Sequence, residues 1–145
     1  MIDDIYVIDD FLPQKLADQI ETMFLGRDMN WKLIMDVTYP FDITKNESNK
    51  KQIPACSSTY YDDRFGGPIE PVLFFATIPI VHMGLQKINY KEDYKPFRMR
   101  SFLQFPIKRD NPEEYNNIHV DDNRPHIAFL YYVNDSDGDT VLFNQ

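Results

Sequence analysis

The spacing of apolar residues along the chain predicts helices mainly in its first part and strands mainly in its last part. Residues 3–8 alternate weakly between apolar and polar and predict a first strand. Residues 9–26 predict a helix with Asp10 as its N-cap, Pro13 in its first turn and Gly26 at its end. The apolar face of this helix consists of Leu16, Ile20 and Met23 or Phe24. A single apolar face indicates a helix that packs on a sheet.

The middle of the chain is predicted to contain a strand, a loop and a more apolar helical stretch. Residues 30–39 predict a second strand, and residues 40–58 are polar and rich in turn formers, which is typical of a surface loop. Residues 67–90 are apolar on more than one face and predict a mostly buried helix or pair of helices, bent or divided near Pro79. We expect His82, inside this stretch, to be a core or rim histidine rather than a metal ligand.

After residue 95, apolar and polar residues alternate along the chain. The stretch "PFRMRSFLQFP" predicts a strand with Arg98, Arg100, Phe102 and Gln104 on its more polar face. Further short strands are predicted at residues 118–122, 126–133 and 140–143, joined by polar turns. Helices followed by antiparallel strands indicate an α+β fold whose helices cover one face of a sheet.

Composition and charge narrow the class of protein. A chain of 145 residues, 43% hydrophobic and 14% aromatic, has the size and composition of one globular domain. Its net charge of −8 repels phosphate backbones, which disfavours a nucleic-acid partner. Its one cysteine, Cys56, cannot form an internal disulfide, and we expect neither a signal peptide nor a membrane span. We expect a cytoplasmic protein that does not bind membranes.

One triplet carries candidate metal chemistry. His119 and Asp121 stand two residues apart in a predicted strand, so their side chains project to the same side. With a histidine from another strand they would form the 2-His-1-carboxylate arrangement that holds Fe(II) and leaves coordination positions open. The triplet alone is a weak signal, because a hydrogen-bonded structural pair would have the same spacing.

The context of this triplet resembles a known family. The motifs "HVD", "FLYYVND" and "GDTVLF" follow one another in this order, and the chain opens with "YVIDDFLPQKLADQI". This pattern is similar to that of Fe(II)- and 2-oxoglutarate-dependent oxygenases of the prolyl 4-hydroxylase type, especially their small phage-like and marine bacterial members. The resemblance implies one domain over residues 1–145, with a double-stranded β-helix (jelly roll) and N-terminal helices packed on its major sheet.

The resemblance also assigns site residues. It makes His119 and Asp121 ligands of Fe(II), and it places the phenol of Tyr131 on the far carboxylate of the cosubstrate 2-oxoglutarate. Phe105 stands where several relatives carry a tyrosine that also touches the cosubstrate, so that hydroxyl contact is missing here. Two strand residues near the site, Arg98 and Arg100, would meet a substrate carboxylate or, as we rather expect, form a surface ion pair.

The family pattern continues beyond the last motif of this chain. It places the third iron ligand, a histidine, and the cation that pairs with 2-oxoglutarate several strands after "GDTVLF", so we expect them, and the C-terminal strands, to follow Gln145. His126 is a poor substitute because the pattern has no ligand at that position. The open sheet edge left behind would be covered by the missing strands or by a homodimer.

The predicted function is therefore a dioxygenase that hydroxylates an unactivated C–H bond of a small-molecule or peptidyl, for example prolyl, substrate. We expect this chain alone to be inactive or impaired. The alternative is a non-catalytic jelly-roll module for binding or interaction, in which His119 and Asp121 form a structural pair.

Overall fold

The structure, a computed structural model, describes residues 5–35, 54–105, 121–136 and 138–142. These residues form a mixed α/β arrangement of two helices and a small antiparallel sheet. The helices are α1 (Gln14–Leu25) and α2 (Pro71–Lys87), with a 3-10 turn at Asp63–Phe65. The strands are β1 (Lys32–Ile34), β2 (Ala55–Asp62), β3 (Gly67–Pro68) and β4 (Arg98–Gln104).

Strand β2 is the centre of the sheet. It pairs antiparallel with β1, β3 and β4. Its pairing with β4 runs from Ala55 opposite Gln104 to Asp62 opposite Arg98, which is the whole length of both strands. The short strands β1 and β3 pair with opposite ends of β2. Every other strand of the sheet is therefore positioned by β2.

A bulge in β2 turns two large rings towards the helices. The register with β4 shifts between Thr59 and Tyr61, so Tyr60 is the extra residue. Tyr60 packs against Phe24 of α1, with ring centroids 6.3 Å apart. Tyr61 stacks on Phe74 of α2 at 4.8 Å. Both helices therefore cover the same face of the sheet, as the order of helices and strands predicts.

The hydrophobic core lies between this face and the helices. Met99 of β4 packs against it from the sheet, and the extra tyrosine of β2 is part of it. The buried cluster consists of Leu12, Ile20, Phe24, Met29, Tyr60 and Ile80. The opposite face of the sheet, which we call the open face, carries the polar positions of β4.

Helix α1 is shorter than predicted at its N-terminus. It begins at Gln14, and Pro13 rather than Asp10 occupies the N-cap position. A proline disfavours helical backbone at the residue before it, so the helix cannot extend back through Leu12. Asp10 instead has a positive φ of 47° in the preceding turn. Gly26 is the C-cap residue, as predicted.

The predicted first strand is wrong over the residues that the structure describes. Residues 5–8 pair with no described strand, and Val7 is 83% exposed. Weak alternation over so short a stretch does not specify a strand without a partner. Residues 1–4 lie outside the described ranges.

Helix α2 is a single helix that passes through Pro79, not a divided one. It is buried along one face only, at Thr77, Ile80, Gly84 and Leu85. The prediction of a mostly buried helix is therefore wrong, because Val72 and Phe75 are 81% and 66% exposed. His82 is exposed and contacts the Tyr94 hydroxyl, so it lies at the rim. No helix in the described ranges is long and apolar enough to cross a membrane.

The strand predicted at β4 is confirmed, whereas β2 was not predicted. The predicted loop over residues 40–58 is wrong from Ala55 onwards, since the small polar residues there begin the central strand. Residues 126–133 form no strand with the described residues. Instead, Phe129 and Tyr131 pack on Phe11, with ring centroids 5.9 and 6.1 Å apart.

The remaining predicted strands are only partly described. Residues 121–122 and 140–142 are not in strands, while residues 106–120 and 143–145 lie outside the described ranges. The second predicted strand is confirmed at β1 (Lys32–Ile34), and its continuation after residue 35 is also outside those ranges.

Candidate functional site

Two arginines of β4 stand on the open face of the sheet. Arg98 lies opposite Asp62 of β2, and Arg100 lies opposite Thr59. Their neighbour in between, Met99, packs into the core on the helix side. The alternation predicted for this strand is therefore confirmed, and it places both guanidinium groups away from the helices.

Both arginines meet Asp121. Arg100 Nη2 donates to Asp121 Oδ1 at 2.8 Å, and Arg98 Nη2 donates to the Asp121 main-chain carbonyl at 2.8 Å. Arg98 Nη2 also lies 3.7 Å from Oδ1. The two arginine side chains are 15% and 29% exposed, whereas that of Asp121 is 46% exposed. Of the two roles considered for these arginines, the ion pair is present in the structure.

A third arginine fixes the residues that follow Asp121. Arg124 forms a double contact with Asp122, with Nε to Oδ1 at 2.9 Å and Nη2 to Oδ2 at 3.0 Å. Its Nη1 donates to Asp63 Oδ2 at 3.0 Å, and its guanidinium lies 4.3 Å from the ring centroid of Phe97. The segment after Asp121 is therefore attached to the 3-10 turn and to the start of β4.

A fourth arginine completes the group. Arg64 donates from Nε and Nη2 to the carboxylate of Asp62, whose side chain is only 2% exposed. Asp63 Oδ1 is buried and has no hydrogen-bond partner among the described residues. We call the whole group the Asp–Arg cluster: Asp62, Asp63, Asp121, Asp122, Arg64, Arg98, Arg100 and Arg124.

The sequence analysis missed five of the eight residues of this cluster. The sequence feature that could have revealed these residues is a repeated pattern, "DDR" at residues 62–64 and "DDNR" at residues 121–124. In each copy the first or second aspartate bonds the arginine that follows it two residues later. The contact between the copies, Arg124 to Asp63, depends on the fold and cannot be seen in the local pattern.

The other predicted site residues lie apart from Asp121 or outside the described ranges. His119 falls in residues 106–120, which are not described. Tyr131 packs on the helix side, where burial and the nearby charge of Glu21 raise its pKa. Phe105 follows β4 and is 44% exposed. Among the described residues no hydrogen bond joins Tyr131 to Asp121, and the contacts of Tyr131 and Phe105 with 2-oxoglutarate stay predictions.

His126 is held by two contacts of its own. Its Nδ1 lies 2.7 Å from the carbonyl oxygen of Arg124, a distance at which the Nδ1–H tautomer donates to that oxygen. Its ring packs edge to face on Phe97 at 5.5 Å. These contacts give it a structural role in the turn.

Asp121 itself fits a metal ligand. A carboxylate oxygen is a suitable donor for Fe(II), and among the described residues no hydrogen bond reaches Asp121 Oδ2, since Arg100 uses Oδ1. A hydrogen bond on the second oxygen is the usual support of a ligating carboxylate. The described residues contain no group of three or more His, Cys, Asp or Glu side chains that could hold a metal ion.

Comparison with known proteins identifies no relative of this chain. No protein-family model, no curated protein and no solved structure matches this chain. The chemistry of the site is therefore inferred from its own residues and from the motif pattern around His119 and Asp121.

Proposed function

We propose that this chain is a jelly-roll domain of an Fe(II)- and 2-oxoglutarate-dependent dioxygenase, with His119 and Asp121 as iron ligands. The observation that supports it best is the place of Asp121. Its half-exposed carboxylate stands at the open face of the sheet, held by Arg100, with Oδ2 directed to no described donor.

The open face is where a jelly roll would place such a site. In a jelly roll two sheets face each other, and helices that cover one of them leave its other face towards the second sheet. In this chain the helices cover the face of Tyr60 and Met99. Asp121, Arg98 and Arg100 lie together on the opposite side. The proposal needs a second sheet over this face.

Asp121 and Arg100 have defined parts in the proposed reaction. When bound, Fe(II) with 2-oxoglutarate supplies the activation of dioxygen for C–H hydroxylation. Asp121 binds the metal, and Arg100 fixes the orientation of its carboxylate through Oδ1. The substrate remains the class expected from the family pattern, a small molecule or a peptidyl residue such as proline.

Anaerobic titration with Fe(II) and 2-oxoglutarate tests this proposal. Because His119 and Asp121 are two of the three expected ligands, the wild-type chain should bind Fe(II) weakly and give the visible charge-transfer band of a metal-bound 2-oxoglutarate only at saturating Fe(II) and 2-oxoglutarate, and Asp121→Ala should lose this band. Asp28→Ala, which removes an exposed carboxylate far along the chain from the site, is the matched control and should keep the band. Failure of wild type to bind Fe(II), measured by anaerobic calorimetry, would contradict the proposal.

The second candidate is a non-catalytic binding module. It is favoured by the Arg100–Asp121 ion pair, which balances the charge of the aspartate without any metal. In that case Asp121→Asn should lower the thermal stability while Fe(II) has no effect on the melting temperature of the wild type. A metal-dependent rise of the wild-type melting temperature that Asp121→Asn abolishes would favour the enzyme.

A further inference from the structure

We propose that the outer face of helix α2 is the contact surface of a symmetric homodimer. This outer face consists of Val72, Phe75, Ala76 and Pro79, which are all exposed. The partner is a second copy of this chain, whose own α2 lies antiparallel across the first. The surface differs from the open face and from the sheet edge considered above for a homodimer, and the inference does not depend on the proposed metal chemistry.

The outer face is apolar where a helix on a sheet normally carries polar residues. Positions three and four apart lie on one side of a helix, which groups Val72 and Phe75 with Ala76 and Pro79. Val72 and Phe75 are 81% and 66% exposed. The residues that α2 buries against the core lie on the other side, namely Thr77, Ile80, Gly84 and Leu85. Helix α2 is therefore apolar on two sides, and only one of them is buried.

The largest side chain of the outer face is held in place before any partner binds. The ring of Phe75 packs edge to face on Phe74, with centroids 5.2 Å apart. Phe74 in turn stacks on Tyr61 of β2 at 4.8 Å. This chain of rings connects the exposed phenyl group to the central strand. Association therefore loses less side-chain entropy than it would with a freely rotating ring.

The order of large and small residues on the outer face suits a second copy of the same helix. A twofold axis between positions 75 and 76 sets Phe75 of each copy against Ala76 of the other. The same axis sets Val72 against Pro79. Small residues opposite large ones let two helices approach closely, and a twofold axis makes each contact twice. The face is therefore complementary to itself in the antiparallel orientation.

Charge also favours a second copy as the partner. Residues 71–86 contain no Asp, Glu, Lys or Arg, whereas the whole chain has a net charge of −8. Two copies repel each other over charged parts of their surface, and an uncharged face meets least of this repulsion. A strongly charged partner would find no opposite charge on the outer face. Apolar packing between identical faces is the contact that this surface can offer.

The exposed apolar area is sufficient for a weak dimer. With the adjoining Ile69, which is 42% exposed, the outer face presents roughly 450 Å² of apolar surface per copy. Two copies with their polar rims would bury about 1,000 Å² in total, which is near the lower limit of specific interfaces. We therefore expect a dissociation constant of about 1–100 µM.

Sedimentation equilibrium of the full chain over a series of concentrations tests the proposal. Wild type should change from monomer to dimer as its concentration rises. Val72→Glu should weaken association about tenfold or more, because it buries charge in the contact. The new carboxylate stands in the first turn of α2, where it suits the helix dipole. Val7→Glu makes the same change at an equally exposed position, 83% against 81%, and should dimerise as wild type does.

A charge-pairing experiment identifies the partner as a second copy. Position 76 lies beside the proposed twofold axis, so two like charges there would face each other. Ala76→Glu and Ala76→Lys should each be monomeric alone. An equimolar mixture of the two variants should associate into a heterodimer, because opposite charges then meet at the axis. Circular dichroism verifies that each variant keeps its helices.

Three results would overturn the proposal. A wild type that stays monomeric at every concentration would show that the outer face is free or is covered by another segment or another protein. A dimer that persists in both Val72→Glu and Ala76→Glu would place the contact on a different surface. A mixture of the two position-76 variants that stays monomeric would exclude the antiparallel pairing.

Discussion

At the scale of the residue, Asp62 shows how the cluster contributes to stability. Its carboxylate is nearly fully buried and accepts hydrogen bonds from Nε and from the main-chain nitrogen of Arg64, at 2.9 and 3.0 Å. These bonds stabilise the charged form and lower the pKa of Asp62 below its ordinary value of 3.8. Since Arg64 is 60% exposed, solvent screens the charge interaction, and the hydrogen bonds matter more than the ion pair.

This environment predicts an acid-dependent loss of stability. A lowered pKa in the folded state means that Asp62 stabilises the fold fully above pH 3.8, and that this contribution is lost as the pH falls through the folded pKa. Asp62→Asn should lower the free energy of unfolding by about 1–2 kcal/mol at pH 7. Denaturant unfolding should show the difference from wild type shrinking towards pH 3.

The exposed Asp28→Asn is the control for this prediction and should differ little from wild type at any pH. A constant difference between Asp62→Asn and wild type from pH 7 to pH 3 would contradict the assignment of the stabilising form to the carboxylate.

Local pattern predicted some of these residue roles and missed others. The alternation of β4 placed Arg98 and Arg100 on one face, and the structure confirms that face. The partners of these arginines could not be predicted. The carboxylate of Asp121 reaches β4 only because the chain folds back over more than twenty positions. Asp62 was missed because its strand has no apolar alternation to reveal it.

At the scale of the element, Pro79 is the unusual feature of α2. A proline inside a helix removes one main-chain hydrogen bond and crowds the preceding turn. The helix nevertheless continues from Pro71 to Lys87, because its buried face packs on the sheet and the core. The predicted division at Pro79 is wrong, because tertiary packing outweighs the low helix propensity of proline.

We therefore expect Pro79→Ala to stabilise the protein. Position 79 is exposed, so the substitution restores a main-chain donor without changing the core. The gain in the free energy of unfolding should be about 1–3 kcal/mol, measured by denaturant titration. Pro71→Ala is the matched control: Pro71 stands at the start of α2, where no donor is needed, and its replacement should not stabilise. Equal effects of both substitutions would contradict this explanation.

At the scale of the whole molecule, the packing of the helices on the sheet could be predicted from the sequence, and the pairing of the strands could not. Apolar spacing indicated that α1 packs on a sheet, and Phe24 does so through Tyr60. The central position of β2 could not be predicted, because strand pairing depends on contacts between residues distant in sequence. The candidate iron site is predicted from a motif, and the structure adds the position of Asp121 on the open face.

The central position of β2 also has a consequence for folding kinetics. Its pairing with β4 joins residues that are 36 positions apart at Asp62 and Arg98 and 49 apart at Ala55 and Gln104. Closing so long a segment loses chain entropy before contacts compensate for it, which makes this step slow. Helix α2 lies inside that segment, so its early formation would shorten the flexible chain to be closed.

We expect the docking of β4 on β2 to limit the folding rate. Met99→Ala, in β4, should slow folding, whereas Leu12→Ala, in the core but before α1, should mainly accelerate unfolding. Stopped-flow refolding and unfolding of the two variants measures this difference, and the reverse pattern would contradict it. The strand that organises the sheet would then also set the time the chain needs to reach its native state.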